Sequence, residues 1–344
     1  YCPLCSAFCN QTNATRAGDR VSPPPTNRQD AVKLLTEQGT DSIQVAQKYA
    51  RNNHLEFFVS LRMNDIHDVT WSNGLMPVVF PQFKKEHPEY LQKSLESVLN
   101  QTVKPDQIVI VKDGPLTSEL EETLNSFIQK EPDLYEIVPL ETNHGLGLAL
   151  REGITHCRNE LVARMDTDDI AVPDRFELQL AEFEKDPELD ICGSHVLEFE
   201  GTTDNIVAQR RVPLGDAEIK KYQKRRDGFN HPTVMYKKAK VIEAGNYTDC
   251  PLMEDTYLWV NMFLHGAKAK NIDKYLLYFR VGKDMFRRRG GWKYFKKYKQ
   301  GRKMVYKTGY IGWWDYRYTL FVQFAVALMP NKLRGLIFKN ILHR

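Results

Sequence analysis

Long apolar runs are missing from this sequence. The longest, residues 318–329, is a dozen mostly apolar residues stopped by Pro330, against the ~20 that a spanning helix needs. No transmembrane segment is therefore expected. Cysteine is scarce too, at positions 2, 5, 9, 157, 192 and 250. Cys2, Cys5 and Cys9 cluster, but three thiols without a nearby fourth ligand do not make a structural zinc site. The other three are scattered among apolar segments and read as reduced core thiols. No internal repeat is visible, which excludes a solenoid or propeller. No charge of one sign dominates: the net charge is +4, so the bulk balance indicates neither nucleic acid nor membrane. No signal-peptide pattern opens the chain, which begins at Tyr1 rather than Met. What is present is the composition of an ordinary globular protein, 42% hydrophobic and 27% charged. Its 344 residues allow one large domain or two small ones.

The chain is organised around residues 160–173, ELVARMDTDDIAVP. Leu161, Val162 and Ala163 form a short apolar run, long enough for one buried strand. It breaks into Asp166-Thr167-Asp168-Asp169, and Pro173 opens an expected helix over 174–184. Acids at the end of an apolar strand lie at the carboxyl edge of a sheet, where open α/β folds bind ligands. Hard oxygen ligands at this spacing suit Mg²⁺ or Mn²⁺, and such a cation suits a diphosphate. The plainer alternative is a solvated acidic turn.

Residues 1–75 read as a foreign or truncated segment, partly disordered. Residues 10–27 are polar and broken by Pro23-Pro24-Pro25, as in a linker. A helix over 41–53 and a strand over 55–61 are expected, followed by RMNDIHD at 62–68. Residues 30–68 resemble a piece of a glycoside-hydrolase-like barrel protein, a sliver of a fold that takes ~250 residues to close. From Met76 a regular rhythm begins. Strands are expected at 78–83, 107–112, 135–140 and 161–163. Amphipathic helices carry Leu91, Leu95, Val98 and Leu99, then 119–130 and 148–157. This alternation predicts a parallel sheet with helices on both faces. Beyond Pro187, strands are expected at 191–200 and 206–212 and a helix at 258–264.

The motifs stand in order: Glu86 after the first strand, VKDGP at 111–115, NHGLG at 143–147, ARMDTDD at 163–169 and LMEDTYLW at 252–259. Across roughly 76–291 this series resembles the inverting family-2 glycosyltransferases of GT-A fold. The likeness is nearest to enzymes of capsule, exopolysaccharide and O-antigen synthesis, the amylovoran-type group included. Asn230-His231-Pro232-Thr233 and Arg288-Arg289-Gly290-Gly291 extend it.

The resemblance implies an α/β, Rossmann-like, mostly parallel sheet with a C-terminal helical extension: a GT-A domain over 76–282 and an extension over 283–344. It implies a UDP-sugar donor, a glycan or lipid-linked acceptor, and work in the cytoplasm or peripherally on the inner face of the plasma membrane. Asp113 would accept from the uracil, or simply cap the turn before Gly114-Pro115, and Phe83, Glu86 and Asn143 would belong to the same donor pocket. Asp166 would hold the ribose and Asp168 the metal. Arg164 would pair with a phosphate or with Asp169. Gly145 and Gly147 would let backbone approach the diphosphate at a helix start, where amide dipoles favour anions. Arg288 and Arg289 would close over the diphosphate or bind anionic lipid heads. Asp255 would be the general base, and Glu254 and His231 would line the acceptor site. The alternatives are an ordinary acidic helix start for Glu254-Asp255 and a loop histidine for His231. One departure matters: the first strand ends Pro81-Gln82-Phe83, where relatives carry a small residue, an aliphatic one and Tyr, and Pro81 removes an N–H.

Two rival readings stand as alternatives. A sugar-1-phosphate nucleotidyltransferase would show a Gly-rich basic loop after the first strand, and 82–88 has no glycine. A non-catalytic protein binding nucleic acid or membrane through the basic, aromatic stretch 283–307 would leave the ordered acids unexplained. No nucleic-acid partner is expected. Aromatic and basic flanks around 318–329 fit either a helix lying at a membrane surface or one docked on the domain.

Overall fold

The computed structural model describes residues 77–80, 87–282 and 291–329. Strand β1 (Pro77–Phe80) lies parallel between β2 (Gln107–Asp113) and β4 (Leu161–Arg164), and β3 (Tyr135–Leu140) lies parallel on the far side of β2. The order β3-β2-β1-β4 means that the chain steps outward twice and then returns across β1. In β2, Ile108 and Ile110 belong to one core and Val109 and Val111 to another, and all four are fully buried. Such a strand is covered by helices on both faces, as its unbroken β-branched run requires.

On one face lie α1 (Pro88–Leu99), α2 (Ser118–Ile128) and α4 (Arg175–Lys185), through Leu91, Leu95, Leu124 and Phe176. On the other lie α3 (Leu146–His156), α5 (Asp216–Gln223), α6 (Lys238–Glu243) and α7 (Glu254–Leu264), through Leu150, Ile219, Val241 and Trp259. Beyond β4 the sheet turns mixed. It continues through β8 (Met235–Lys237), antiparallel to both neighbours, to β6 (Leu189–Phe199), β9 (Lys268–Arg280) and the two-residue β5 (Ile170–Ala171). The strands expected at 191–200 and 206–212 are β6 and β7 (Ile206–Arg210), which pair antiparallel.

Helices α8 (Gly291–Lys307) and α9 (Trp313–Leu328) form the C-terminal extension. Val305 of α8 and Ile311 pack with Met253 and Val260 beside α7. Arg302, 2% exposed, donates from Nε to Thr319 Oγ1 of α9 at 3.0 Å. Among the described residues no helix is long and apolar enough to cross a membrane. Cys157, Cys192 and Cys250 are free and buried. Burial pushes each thiol up to about 12, so they stay protonated, as core thiols do. The expectations for residues 1–75, the strand end 81–83, Phe83, Glu86, Arg288 and Arg289 lie outside the described residues.

Candidate active site

The return of the chain across β1 opens the sheet's carboxyl edge between β2 and β4, and chemistry-bearing side chains gather there. Asp113 ends β2. Its Oδ1 and Oδ2 accept from the amides of His144 and Gly145 at 2.6 and 2.9 Å, and Asn143 Nδ2 donates to the Asp113 carbonyl at 3.2 Å. This carboxylate thus fastens the NHGLG loop to the strand end. Gly145, at φ +91°, takes a turn that side chains resist. Gly147 has a sharper reason to lack a side chain, since a Cβ there would stand 2.5 Å from the Thr248 carbonyl oxygen and 3.1 Å from Glu254 Cβ. The start of α3 is in this way pressed against the start of α7. Gly147 therefore serves first as a packing residue.

Asp166, Asp168 and Asp169 follow the end of β4. One oxygen from each lies within 4.8 Å of the others, close to the ~4.2 Å separating oxygens on opposite sides of an ion with ~2.1 Å bonds. Asp169 is 1% exposed; its Oδ1 accepts from the Arg280 amide at 2.8 Å, and its Oδ2 is buried without a hydrogen-bond partner. Burial, then the charges of Asp168 and Asp166, hold its carboxyl well above the usual range. Asp168 is exposed at the lip of the turn, yet the protein packed around its carboxyl and the adjoining Asp166 carboxylate push it up to about 6. Mutually crowded, all-oxygen donors with one orphaned oxygen fit a divalent cation, which would relieve both the repulsion and the vacancy in hydrogen bonding.

Arg164 is 2% exposed and grips Asp166 with both terminal nitrogens, at 2.7 and 2.6 Å. The sequence left a phosphate or Asp169 as its partner. The structure gives Asp166 instead, and Asp169 Oδ2 has no hydrogen-bond partner. Arg175 is wholly buried and donates to the Arg164 carbonyl at 2.8 Å and to Gln179 at 3.0 Å. Burial, then the Arg164 charge, lower it to about 9, which leaves it charged at neutral pH. Nothing in the sequence marked Arg175 except a charge on the apolar side of an expected helix.

A second acidic centre sits at the first turn of α7. Asp255 Oδ1 accepts from the Thr256 amide at 2.7 Å, and the side chain is four-fifths buried. An acid stabilised by a helix start would be held low. Asp255 goes the other way: burial, then Asp227 and Glu254, hold it well above the usual range. Asp227 also bonds the Thr256 hydroxyl. Burial raises Glu254 too, against the pull of Arg164. His231 lies in a 3-10 turn (His231–Thr233), with Nδ1 3.8 Å from Asp255 Oδ2 and Nε2 2.8 Å from the Tyr247 hydroxyl. Burial, then the Arg164 charge, keep His231 well below its ordinary value, so the ring is neutral. The Arg164 charge is felt by Asp168, Asp169, Glu254, Asp255 and His231. It stands between the two centres.

Of the residues singled out in the sequence, Asp113, Asn143, Gly147, Arg164, Asp166, Asp168, His231, Glu254 and Asp255 all lie at this edge or at the helix starts packed on it. Arg175, Asp227 and Tyr247 were missed. Asp169 was read as part of the acid run and as a partner for Arg164, without a ligand role of its own.

Residues 78–245 match the family described as Glycosyl transferase family 2. A relative from Erwinia amylovora, the amylovoran biosynthesis glycosyltransferase AmsE, is 36% identical over 77% of this chain and 98% of its own length. The UDP-Gal:alpha-D-GlcNAc-diphosphoundecaprenol beta-1,3-galactosyltransferase of Escherichia coli is 34% identical over 78% of this chain and 96% of its own. The chain belongs to glycosyltransferase family 2. It is a glycosyltransferase with relatives in polysaccharide biosynthesis. Among solved structures, the mannosyltransferase PcManGT from Pyrobaculum calidifontis superimposes at a TM-score of 0.52, with 16% identity, over 75% of this chain and 71% of that one. A likeness at that identity speaks for the fold alone, which is GT-A. Membership of family 2 removes the nucleotidyltransferase and non-catalytic readings.

Proposed function

We propose that this glycosyltransferase moves a sugar, with inversion, from a UDP-sugar to a hydroxyl of a lipid-linked glycan, using Mg²⁺ or Mn²⁺. The observation that carries the reading is the pair of acidic centres on either side of Arg164. Asp166, Asp168 and Asp169 would hold the cation, whose charge offsets that of the departing diphosphate. Asp113 and the loop it fastens would receive the uracil and ribose end. The Escherichia coli relative, named for UDP-Gal and a diphosphoundecaprenol acceptor, supports the donor and acceptor classes.

Asp255 is the base. A new bond forms from the acceptor oxygen to the anomeric carbon as the bond from that carbon to the diphosphate oxygen breaks. The hydroxyl proton passes to the Asp255 carboxylate, and the electron pair leaves with UDP. A carboxyl whose affinity for protons is raised by burial and by Asp227 and Glu254 is better matched to this task than a surface acid. Neutral His231, held by Tyr247, lies beside Asp255 without competing for its proton. Glu254 and His231 together line the acceptor side.

The test is Asp255→Asn, with donor binding followed by calorimetry and transfer by UDP release. Binding is expected to persist while transfer falls by ~10²–10⁴. Unchanged turnover would remove Asp255 from the mechanism.

A further inference from the structure

We propose that α8 and α9 form a surface that docks on an anionic lipid bilayer. Helix α9 is apolar on more than one side, and the domain covers only part of it. Toward α8, Phe324 meets Trp292 and Phe295 at 6.3 and 5.4 Å between ring centroids, and Tyr316 stacks on Tyr306 at 4.8 Å. Outside, Trp314, Tyr318, Phe321 and Leu328 fall at helical spacing in one stripe, 77%, 52%, 72% and 65% exposed. A contiguous exposed apolar stripe of this kind marks a docking face for a protein or a membrane.

Charge selects the occupant. Residues 291–329 hold eight Lys and Arg against a single acid, Asp315, although the whole chain carries only +4. That acid is engaged by Arg225 at 2.6 Å. The lysines of α8 are exposed. An apolar patch alone would suit a second protein, but exposed aromatic side chains on a helix pair this rich in exposed lysine match a headgroup layer of negative charge. Neither signal alone anchors a protein stably, whereas an apolar insertion combined with a basic patch does.

The surface is joined to the catalytic helix. Gly301 of α8 approaches the Pro251 carbonyl so closely that a Cβ would stand 2.4 Å from it, and Val305 packs with Val260 of α7. A domain docked through this surface would present the helix that bears Asp255 at a fixed orientation to the bilayer. The purpose of this arrangement rests on the lipid-linked acceptor proposed above.

The experiment is vesicle flotation of the full chain, with phosphatidylcholine alone or mixed with phosphatidylglycerol. Binding is expected to the anionic vesicles, and to weaken as salt rises. It should fall at least tenfold in the Trp314→Gln, Phe321→Gln, Leu328→Gln triple variant. A Lys293→Glu, Lys296→Glu, Lys297→Glu variant should lose the preference for anionic lipid. UDP release onto a water-soluble short-chain acceptor should be unchanged in both. Absence of wild-type binding would overturn the proposal, as would a triple variant that binds like wild type. A triple variant that changes only the oligomeric state in sedimentation would assign the stripe to a second copy instead. Vesicle binding as expected with no UDP release from any variant would leave the docking surface standing and count against the catalytic reading.

Discussion

The acid turn after β4 and the acid cluster at the start of α7 share a raised proton affinity but differ in surroundings. At the turn, three carboxylates follow one another along the chain, Asp168 reaches solvent, and Asp169 keeps an unpartnered oxygen. At α7, Asp255 shares its corner with Asp227, Glu254, a neutral His231 and Tyr247. The first arrangement asks for a cation; the second holds a single carboxyl ready to exchange a proton. A raised proton affinity therefore serves different chemistry in the two places: both crowd carboxylates, but the turn has an orphaned oxygen and an exposed carboxylate that leave room for an ion, whereas Asp255 lies beside a neutral His231.

Arg164 joins the two centres, so its removal should disturb the comparison most. Arg164→Met leaves Asp166 without its two-pronged partner and strips both centres of a shared positive charge. Breaking a buried pair costs about 3–5 kcal/mol, and the lower end applies because the Asp166 side chain is 25% exposed. Chemical denaturation would read this loss. A variant as stable as wild type would show that the centres do not depend on Arg164.

Gly147→Ala tests whether the centres are held together by packing. The added methyl meets the Thr248 carbonyl and must push α3 away from α7, at a cost of about 1–3 kcal/mol. Thermal unfolding should show the drop. A neutral result would mean that the contact between the helix starts yields freely.

A third effect has the opposite sign. Asp255 has a folded-state proton affinity raised above its ordinary value of ~3.9. The folded protein therefore keeps this proton as the unfolded chain loses it. The carboxyl imposes no penalty below ~3.9, and a growing one as pH rises toward the folded value. Asp255→Asn removes that penalty, so the inactive variant should be more stable than wild type at neutral pH, by about 1.4 kcal/mol for each tenfold rise in proton affinity on folding. The gain should vanish in acid below ~3.9. A variant less stable at neutral pH would place Asp255 among stabilising rather than catalytic groups.

The parallel half of the sheet and the acid turn were legible because each is local. QIVIVKD reads as a covered strand, and Asp166, Asp168 and Asp169 announce themselves by adjacency. Of the mixed half, β6 and β7 were legible as strands and the other members were not. β5 has two residues and β8 three, too few for a period, and β9 mixes lysines with apolar residues in KAKNIDKYLLYFR without alternation. Asp255 was found through the motif series, but its partners Asp227, His231 and Tyr247 come from loops that only the fold brings to α7. The packing contact of Gly147 was hidden for the same reason. Its neighbour Thr248 is about a hundred positions away, and no spacing rule reaches that far.

The most direct measurement is calorimetric binding of a UDP-sugar, with and without Mn²⁺, to Asp255→Asn and to Asp168→Asn. If the two centres divide the work, Asp255→Asn keeps wild-type, cation-dependent donor affinity. Asp168→Asn should lose at least ~10-fold in cation-dependent affinity, as disturbed metal sites do. Equal losses in the two variants, or a loss confined to Asp255→Asn, would contradict the division.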